Sequence, residues 1–229
     1  MPKLLFCFLA TIISFVSCLA SAAAQSVVPI DKEPMHRLRF ENELVRLFDV
    51  LVPAGKSTLV HTHVYDGVGI RVSNASMLDE FTTGGQKSFV ANWGESSFGS
   101  GPAFSHKVVN VGTTDFRNIY IELLSQTASA KSDPLPVLSD GHIILIDNPR
   151  VRVNRLVLKP GESSKLHTHT RNGVGIIVYD AKIEITSQGT SPRPLDVKTG
   201  DFQWQTAGTT HVIKNIGSTV FEAVDIELK

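Results

Sequence analysis

The sequence has almost no cysteine. Of its 229 residues only Cys7 and Cys18 carry a thiol, and both fall in the first eighteen positions. The remainder is therefore expected to hold together without disulfides and to do no thiol chemistry. Nor is there a surplus of charge of one sign: Lys+Arg is 22 and Asp+Glu is 22. A nucleic-acid partner calls for a basic excess, so none is expected. Seventeen glycines are too few for a collagen-like or linker-like chain. Helical period is also missing, because no stretch past the first two dozen residues repeats its apolar positions every three to four. What is there is ordinary globular composition, 42% hydrophobic and 19% charged, which excludes whole-chain disorder. The length suits one large domain or two small ones.

Residues 1–24 read as a secretory signal peptide. Lys3 supplies a positive start, an apolar run follows from Leu4 to Val16, and Ala20 to Ala24 close it with small residues. Cleavage after Ala24 is expected, giving a periplasmic or secreted protein with no stable membrane insertion. Two alternatives stay open: an uncleaved anchor, and lipidation of Cys18, since Phe15-Val16-Ser17-Cys18 partly matches a lipobox.

The rest is a tandem repeat. At an offset of 106 residues, His36 lies over His142, Val45-Arg46 over Val151-Arg152 and Gly55 over Gly161. His61-Thr62-His63 lies over His167-Thr168-His169, and Gly67-Val68-Gly69-Ile70 over Gly173-Val174-Gly175-Ile176. The register then slips by one residue, bringing His106 over His211 and Ile121-Glu122-Leu123 over Ile226-Glu227-Leu228. All eight histidines fall into four repeat-related pairs. The polar segment 125–136, with two prolines, is the expected linker between a domain at 25–124 and another at 137–229. Short β-branched runs such as Val45–Val52, Val151–Leu158, Ala181–Ile185 and Phe221–Ile226 predict strands, and their turn spacing predicts an all-β sandwich or barrel.

Residues i and i+2 of a strand share a face, so His61 and His63 project together, as do His167 and His169. Two imidazoles on one face can share a metal ion, and each half offers a third in His106 or His211. At this point the sequence resembles the cupin superfamily. Gly55, His61 and His63, and again Gly161, His167 and His169, match the opening of G-x5-H-x-H-x3-4-E-x6-G. Gly200, Gly208, His211 and Asn215 match G-x5-P-x-G-x2-H-x3-N, with Thr206 in place of proline. In the first half only His106 and Asn110 fit that second motif cleanly, because Gly94 stands one residue too far from His106.

The resemblance implies a bicupin: two tandem double-stranded β-barrel (jelly-roll) domains. It implies His61, His63 and His106 as metal ligands in one, and His167, His169 and His211 in the other. The ion would be divalent: Fe, Zn, Mn, Ni or Cu. The family glutamate is missing from both halves, where Gly67, Val68, Gly173 and Val174 stand instead. The two glycines are expected to leave that space open to water or substrate. His36 and His142 are expected to be strand or interface residues. Lys165, two residues before His167, is expected to be a solvated strand-end lysine. Phe98, Phe104, Gln203 and Trp204 are expected to line or pack the barrels. The expected function is that of an exported metal-dependent enzyme acting on a small molecule, of dioxygenase, decarboxylase or isomerase type. The alternative is a non-catalytic cupin binding a sugar, small acid or metal. Either partner is a small molecule, and a homo-oligomer is compatible with both.

Overall fold

The computed structural model describes residues 26–125 and 141–229. The expected leader, 1–24, and positions 126–136 of the expected linker lie outside the described residues. The first half contains β1 (Val28–Pro29), a 3-10 turn (Ile30–Lys32), β2 (His36–Glu41), β3 (Val45–Val52), β4 (His61–His63) and β5 (Gly67–Arg71). It continues with β6 (Ala75–Phe81), β7 (Gln86–Ala91), β8 (Ser96–Gly99), β9 (Phe104–Asn110) and β10 (Phe116–Leu123). The second half repeats the series as β11 (His142–Asp147), β12 (Val151–Leu158), β13 (His167–Thr168), β14 (Gly173–Ile177), β15 (Ala181–Ser187), β16 (Arg193–Val197), β17 (Phe202–Gln205), β18 (Thr210–Asn215) and β19 (Phe221–Leu228). Among the described residues no helix is long and apolar enough to cross a membrane.

Each half folds two sheets over one another. In the first they run β1-β4-β9-β6-β7 and β2-β3-β10-β5-β8; in the second, β13-β18-β15-β16 and β11-β12-β19-β14-β17. This is a jelly roll twice over. The alternation of the central strands explains which face goes where. On β3, Phe48, Val50 and Val52 point into the first barrel, where they pack with Met77, Ala91 and Phe116. Leu156, Leu158, Ile183, Phe221 and Ala223 do the same in the second barrel.

The opposite faces of the same strands are also apolar, and they meet each other. Val45, Leu47, Val68, Ile70, Ile119 and Ile121 of the first half form one buried cluster with Val151, Val153, Val174, Ile176, Val224 and Ile226 of the second. The two barrels therefore stand back to back, sharing a sheet-on-sheet core. Polar contacts cross it in both directions. Trp93 Nε1 donates to the Val178 carbonyl at 2.9 Å, and Arg117 Nη1 to the Thr199 carbonyl at 2.9 Å. Asp66 pairs with Arg150 at 2.9 Å. The arrangement is pseudo-two-fold. Gly94 lies against Glu222, while its repeat-mate Gly200 lies against Arg117, the repeat-mate of Glu222. Both glycines have positive φ, +83° in each case. A side chain at either would be strained and would press into the other half.

Candidate metal centres

The third histidine of each cluster arrives by strand pairing. β4 runs antiparallel to β9 with His61 directly opposite His106, and β13 to β18 with His167 opposite His211. Residues opposite one another in such a ladder are close enough for their rings to meet. The result is a compact triangle in the first barrel. The Nε2 atoms of His61 and His63 are 3.2 Å apart, those of His63 and His106 3.1 Å, and those of His106 and His61 3.2 Å. In the second barrel His169 and His211 are 3.2 Å apart and His211 and His167 2.9 Å, again Nε2 to Nε2. The one-residue register slip at the first barrel's second motif is absorbed between β8 and β9, in the turn after Gly99, and does not disturb His106.

The outer nitrogens explain why the inner ones converge. His61 Nδ1 lies 3.0 Å from the Leu59 carbonyl, and His167 Nδ1 2.9 Å from the Lys165 carbonyl. A carbonyl only accepts, so Nδ1 carries the proton and Nε2 keeps a bare lone pair. His63 Nδ1 meets the Tyr120 hydroxyl at 3.1 Å, and His106 Nδ1 lies 3.5 Å from Asp79. His169 Nδ1 lies 3.8 Å from Glu227. Burial, reinforced by the neighbouring rings, pushes His61 down to about 3 and His63 to about 2. The same causes lower His211 to about 4 and also lower His169. The rings of His61, His63, His169 and His211 are therefore neutral near pH 7, the form in which imidazole binds a metal.

These nitrogens fit a metal ion. Three atoms 3.1–3.2 Å apart can each sit about 2.1 Å from one shared centre. A cation would also be met by the bare Nε2 lone pairs of His61 and His167, whose Nδ1 protons are held by carbonyls. One ligand atom each of His167, His169 and His211 lies within 4.8 Å of the others.

His36, the first residue of its strand as expected, also lies close to His61 and His63, with one ligand atom of each within 4.8 Å of the others. His36 is a buried residue of the site, with its ring centroid 4.5 Å from that of His61. Its Nδ1 is 2.6 Å from Glu33 Oε2, and Glu33 in turn accepts the backbone N–H groups of Met35 and Leu59. Those bonds hold the Glu33 carboxyl below the usual range despite its burial. His142 likewise stacks edge-on against His167, with centroids 4.9 Å apart. The sequence carried a signal for both, since His36 and His142 recur with the repeat as the other three histidine pairs do.

One expectation is corrected by the structure, that of the space left by the missing glutamate. It is not open. A Cβ on Gly67 would come within 2.2 Å of the Tyr120 hydroxyl, and a Cβ on Gly173 within 2.4 Å of the Ile226 carbonyl. Tyr120 fills the first vacancy and strand β19 closes on the second. Val68 and Val174 point away from the histidines, into the core between the barrels. Tyr120 has Asp225 as its repeat-mate, so the two centres differ in their nearest non-histidine group. Asp225 lies 3.9 Å from His142 Nε2 and accepts from Gln205 at 2.8 Å.

The other sequence candidates separate cleanly. Phe104 stacks on His63 at 5.0 Å and lines the first cavity. Phe98 packs on the shared core and also reaches that cavity. Trp204 and Gln203 line the second cavity, with Trp204 also packed against Phe40 of the first half at 5.7 Å. Lys165 is exposed and serves the centre through its carbonyl. The first cavity measures about 350 Å³ and is lined by His36, His63 and His106, and the second measures about 290 Å³ and is lined by His211.

No family model and no curated protein matches the sequence. Solved structures do match in shape. AerE from Microcystis aeruginosa is 13% identical over 86% of this chain and 98% of its own, with a TM-score of 0.58. Oxalate decarboxylase from Bacillus subtilis is 12% identical over 81% of this chain and 68% of its own, at 0.58. The salicylate 1,2-dioxygenase of Pseudaminobacter salicylatoxidans is 10% identical over 81% and 71%, at 0.55. At such identities the likeness is one of fold: the chain shares the two-barrel fold of these structures, in agreement with the repeat and the two histidine clusters.

Proposed function

We propose that the chain is an exported bicupin metalloprotein, with one divalent ion on His61, His63 and His106 and another on His167, His169 and His211. The first centre is the reactive one, in a metal-dependent enzyme acting on a small molecule, of dioxygenase, decarboxylase or isomerase type. The observation that carries this reading is the first triangle of Nε2 atoms, 3.1–3.2 Å on each side, in the wall of a cavity of about 350 Å³. Neutral ligands leave a divalent ion its full charge, so when bound it supplies Lewis-acid or redox chemistry. The chain's own residues do the rest. Glu33 fixes the tautomer of His36, and Tyr120 holds His63 while offering a hydroxyl beside the cluster. Burial raises Tyr120 well above the ordinary phenol range, so this hydroxyl keeps its proton and can donate a hydrogen bond. Phe81 and Phe104 flank His106 and His63 and limit water. Two enzymes among the structures of similar fold are named for work on carboxylates, and one, from Bacillus subtilis, for its Mn(II) centres.

The test is metal analysis of the exported protein, with single histidine variants. Two ions per chain are expected in the parent and one in His167→Ala. An ion-free protein under loading conditions would remove the metal reading. Mass spectrometry of the same sample should find an N-terminus near Gln25; a retained Met1 or a lipidated Cys18 would overturn cleavage after Ala24. A non-catalytic binder of a sugar, small acid or metal is the competing reading. It predicts ligand retention with no turnover by the fully loaded protein.

A further inference from the structure

Arg71 stands inside the first barrel, on the same inward face of β5 as Gly67 and Gly69. A Cβ on Gly69 would come within 2.5 Å of Arg71 Nη1, so the glycine makes room for the guanidinium. Nη1 donates to Asn118 Oδ1 at 2.9 Å, and the guanidinium carbon lies 6.0 and 5.9 Å from the rings of Phe89 and Phe116. Nε is sealed from solvent and bonds to nothing. Among the described residues no carboxylate lies within ion-pair distance of this guanidinium. Asp79 and Glu95 act on it only from farther away. A guanidinium presents five N–H donors in a planar fork that matches a carboxylate. Only one of the five has an assigned acceptor here.

The second barrel is the built-in control. There the paired positions Arg71 and Asn118 become Ile177 and Ala223, which also face each other across two strands. Tyr120 becomes Asp225, and Asp79 becomes Ile185. The inward guanidinium of Arg71 has no counterpart in the second cavity, whose one lining cation, Arg193, is exposed at its edge and which carries a buried carboxylate near its histidines.

We propose that the first barrel binds a small monocarboxylate with an apolar body, its carboxylate on Arg71 and its other end toward the histidine cluster, and that the second barrel does not. Asn118 and Tyr120 are i, i+2 neighbours on β10, so the residue holding Arg71 is about 7 Å along the strand from the residue holding His63. One small molecule spans that distance. Phe89, Phe104 and Phe116 supply apolar walls along it. The inference deepens the proposed function by naming its substrate class, and the Arg71 contact itself needs no metal.

Isothermal titration of the full chain from Gln25, zinc-loaded and metal-stripped, with benzoate and with its neutral amide separates the two ideas. One benzoate per chain is expected, with the amide at least about tenfold weaker. Arg71→Gln should lose benzoate by at least about tenfold while its zinc content is unchanged. Because Arg71 is largely buried, Arg71→Lys and Ile177→Arg accompany it. The lysine variant should bind at an intermediate level, since it keeps the charge but not the fork. Ile177→Arg should leave the first-site affinity unaltered. No millimolar binding by the parent, equal binding of acid and amide, or unaltered benzoate affinity in folded Arg71→Gln or Arg71→Lys would each overturn the proposal. Absence of zinc with benzoate still bound would instead remove the metal reading and leave the Arg71 site standing.

Discussion

Glu33 is the residue whose role is easiest to isolate. Its carboxylate bonds His36 and two backbone N–H groups, and it touches no histidine of the second barrel. Removing the charge but not the shape, Glu33→Gln should loosen His36 and the Leu59 backbone whose carbonyl orients His61, and so weaken metal retention at the first centre by about tenfold. Chelator competition read by metal content checks this, and the second ion should be retained as in the parent. Glu122 invites a different measurement. It is fully buried, neither oxygen has a hydrogen-bond partner, and the nearest cation is Arg46 at 3.6 Å. Burial pushes its carboxyl up to about 7. The folded protein therefore holds this proton more tightly than the unfolded chain, and stability falls as pH rises from about 4.5 to about 7. Glu122→Gln should raise Tm at pH 8 and change it little at pH 5, with a gain on the order of 1–3 kcal/mol.

At the scale of elements, the glycine pairs on β5 and β14 look alike in the repeat but answer to different neighbours. Gly67 yields its space to the end of a side chain, Gly173 to a strand backbone. Gly67→Ala forces Tyr120 off His63, and shortening the tyrosine in Gly67→Ala/Tyr120→Ala should recover most of the lost stability. Gly173→Ala has no such remedy, because β14 must part from β19. It should cost roughly 2–4 kcal/mol, by analogy with overpacked cores. Thermal melts of the three variants decide it. Equal losses in Gly67→Ala and the double variant would show that Tyr120 is not what fills the site.

For the whole molecule, the apolar backs of the two barrels bind their stabilities together. Val174 sits in that shared core at 1% exposure. Val174→Glu therefore puts an unpaired carboxylate between the domains, not beside a metal, and should destabilise the chain by roughly 2–5 kcal/mol. Metal content per folded molecule should not rise. Calorimetry of the parent should show one transition, since unfolding either half strips the apolar face of the other. Two well-separated transitions would contradict that.

The repeat, the strand type and the six histidines of the two motifs were legible in the sequence. They depend on spacing along a strand, where a period of two sets which side chains share a face. The expected strands at Val45–Val52 and Val151–Leu158 have those bounds in the structure. What filled the space beside the histidines was not legible. Tyr120, Arg71 and His36 reach the first cavity from β10, β5 and β2, with Glu33 behind His36 in the turn before β2, and only closure of the barrel sets them together. The alternation that marks one face as buried also gave no hint that both faces of β3, β10 and β12 would be covered, because pattern along a strand cannot say what packs against it. The sequence by itself therefore determined two barrels and two histidine clusters. The tertiary structure alone decided that Arg71 and Tyr120 stand in one cavity where Ile177 and Asp225 stand in the other, since those neighbours come from strands distant in sequence.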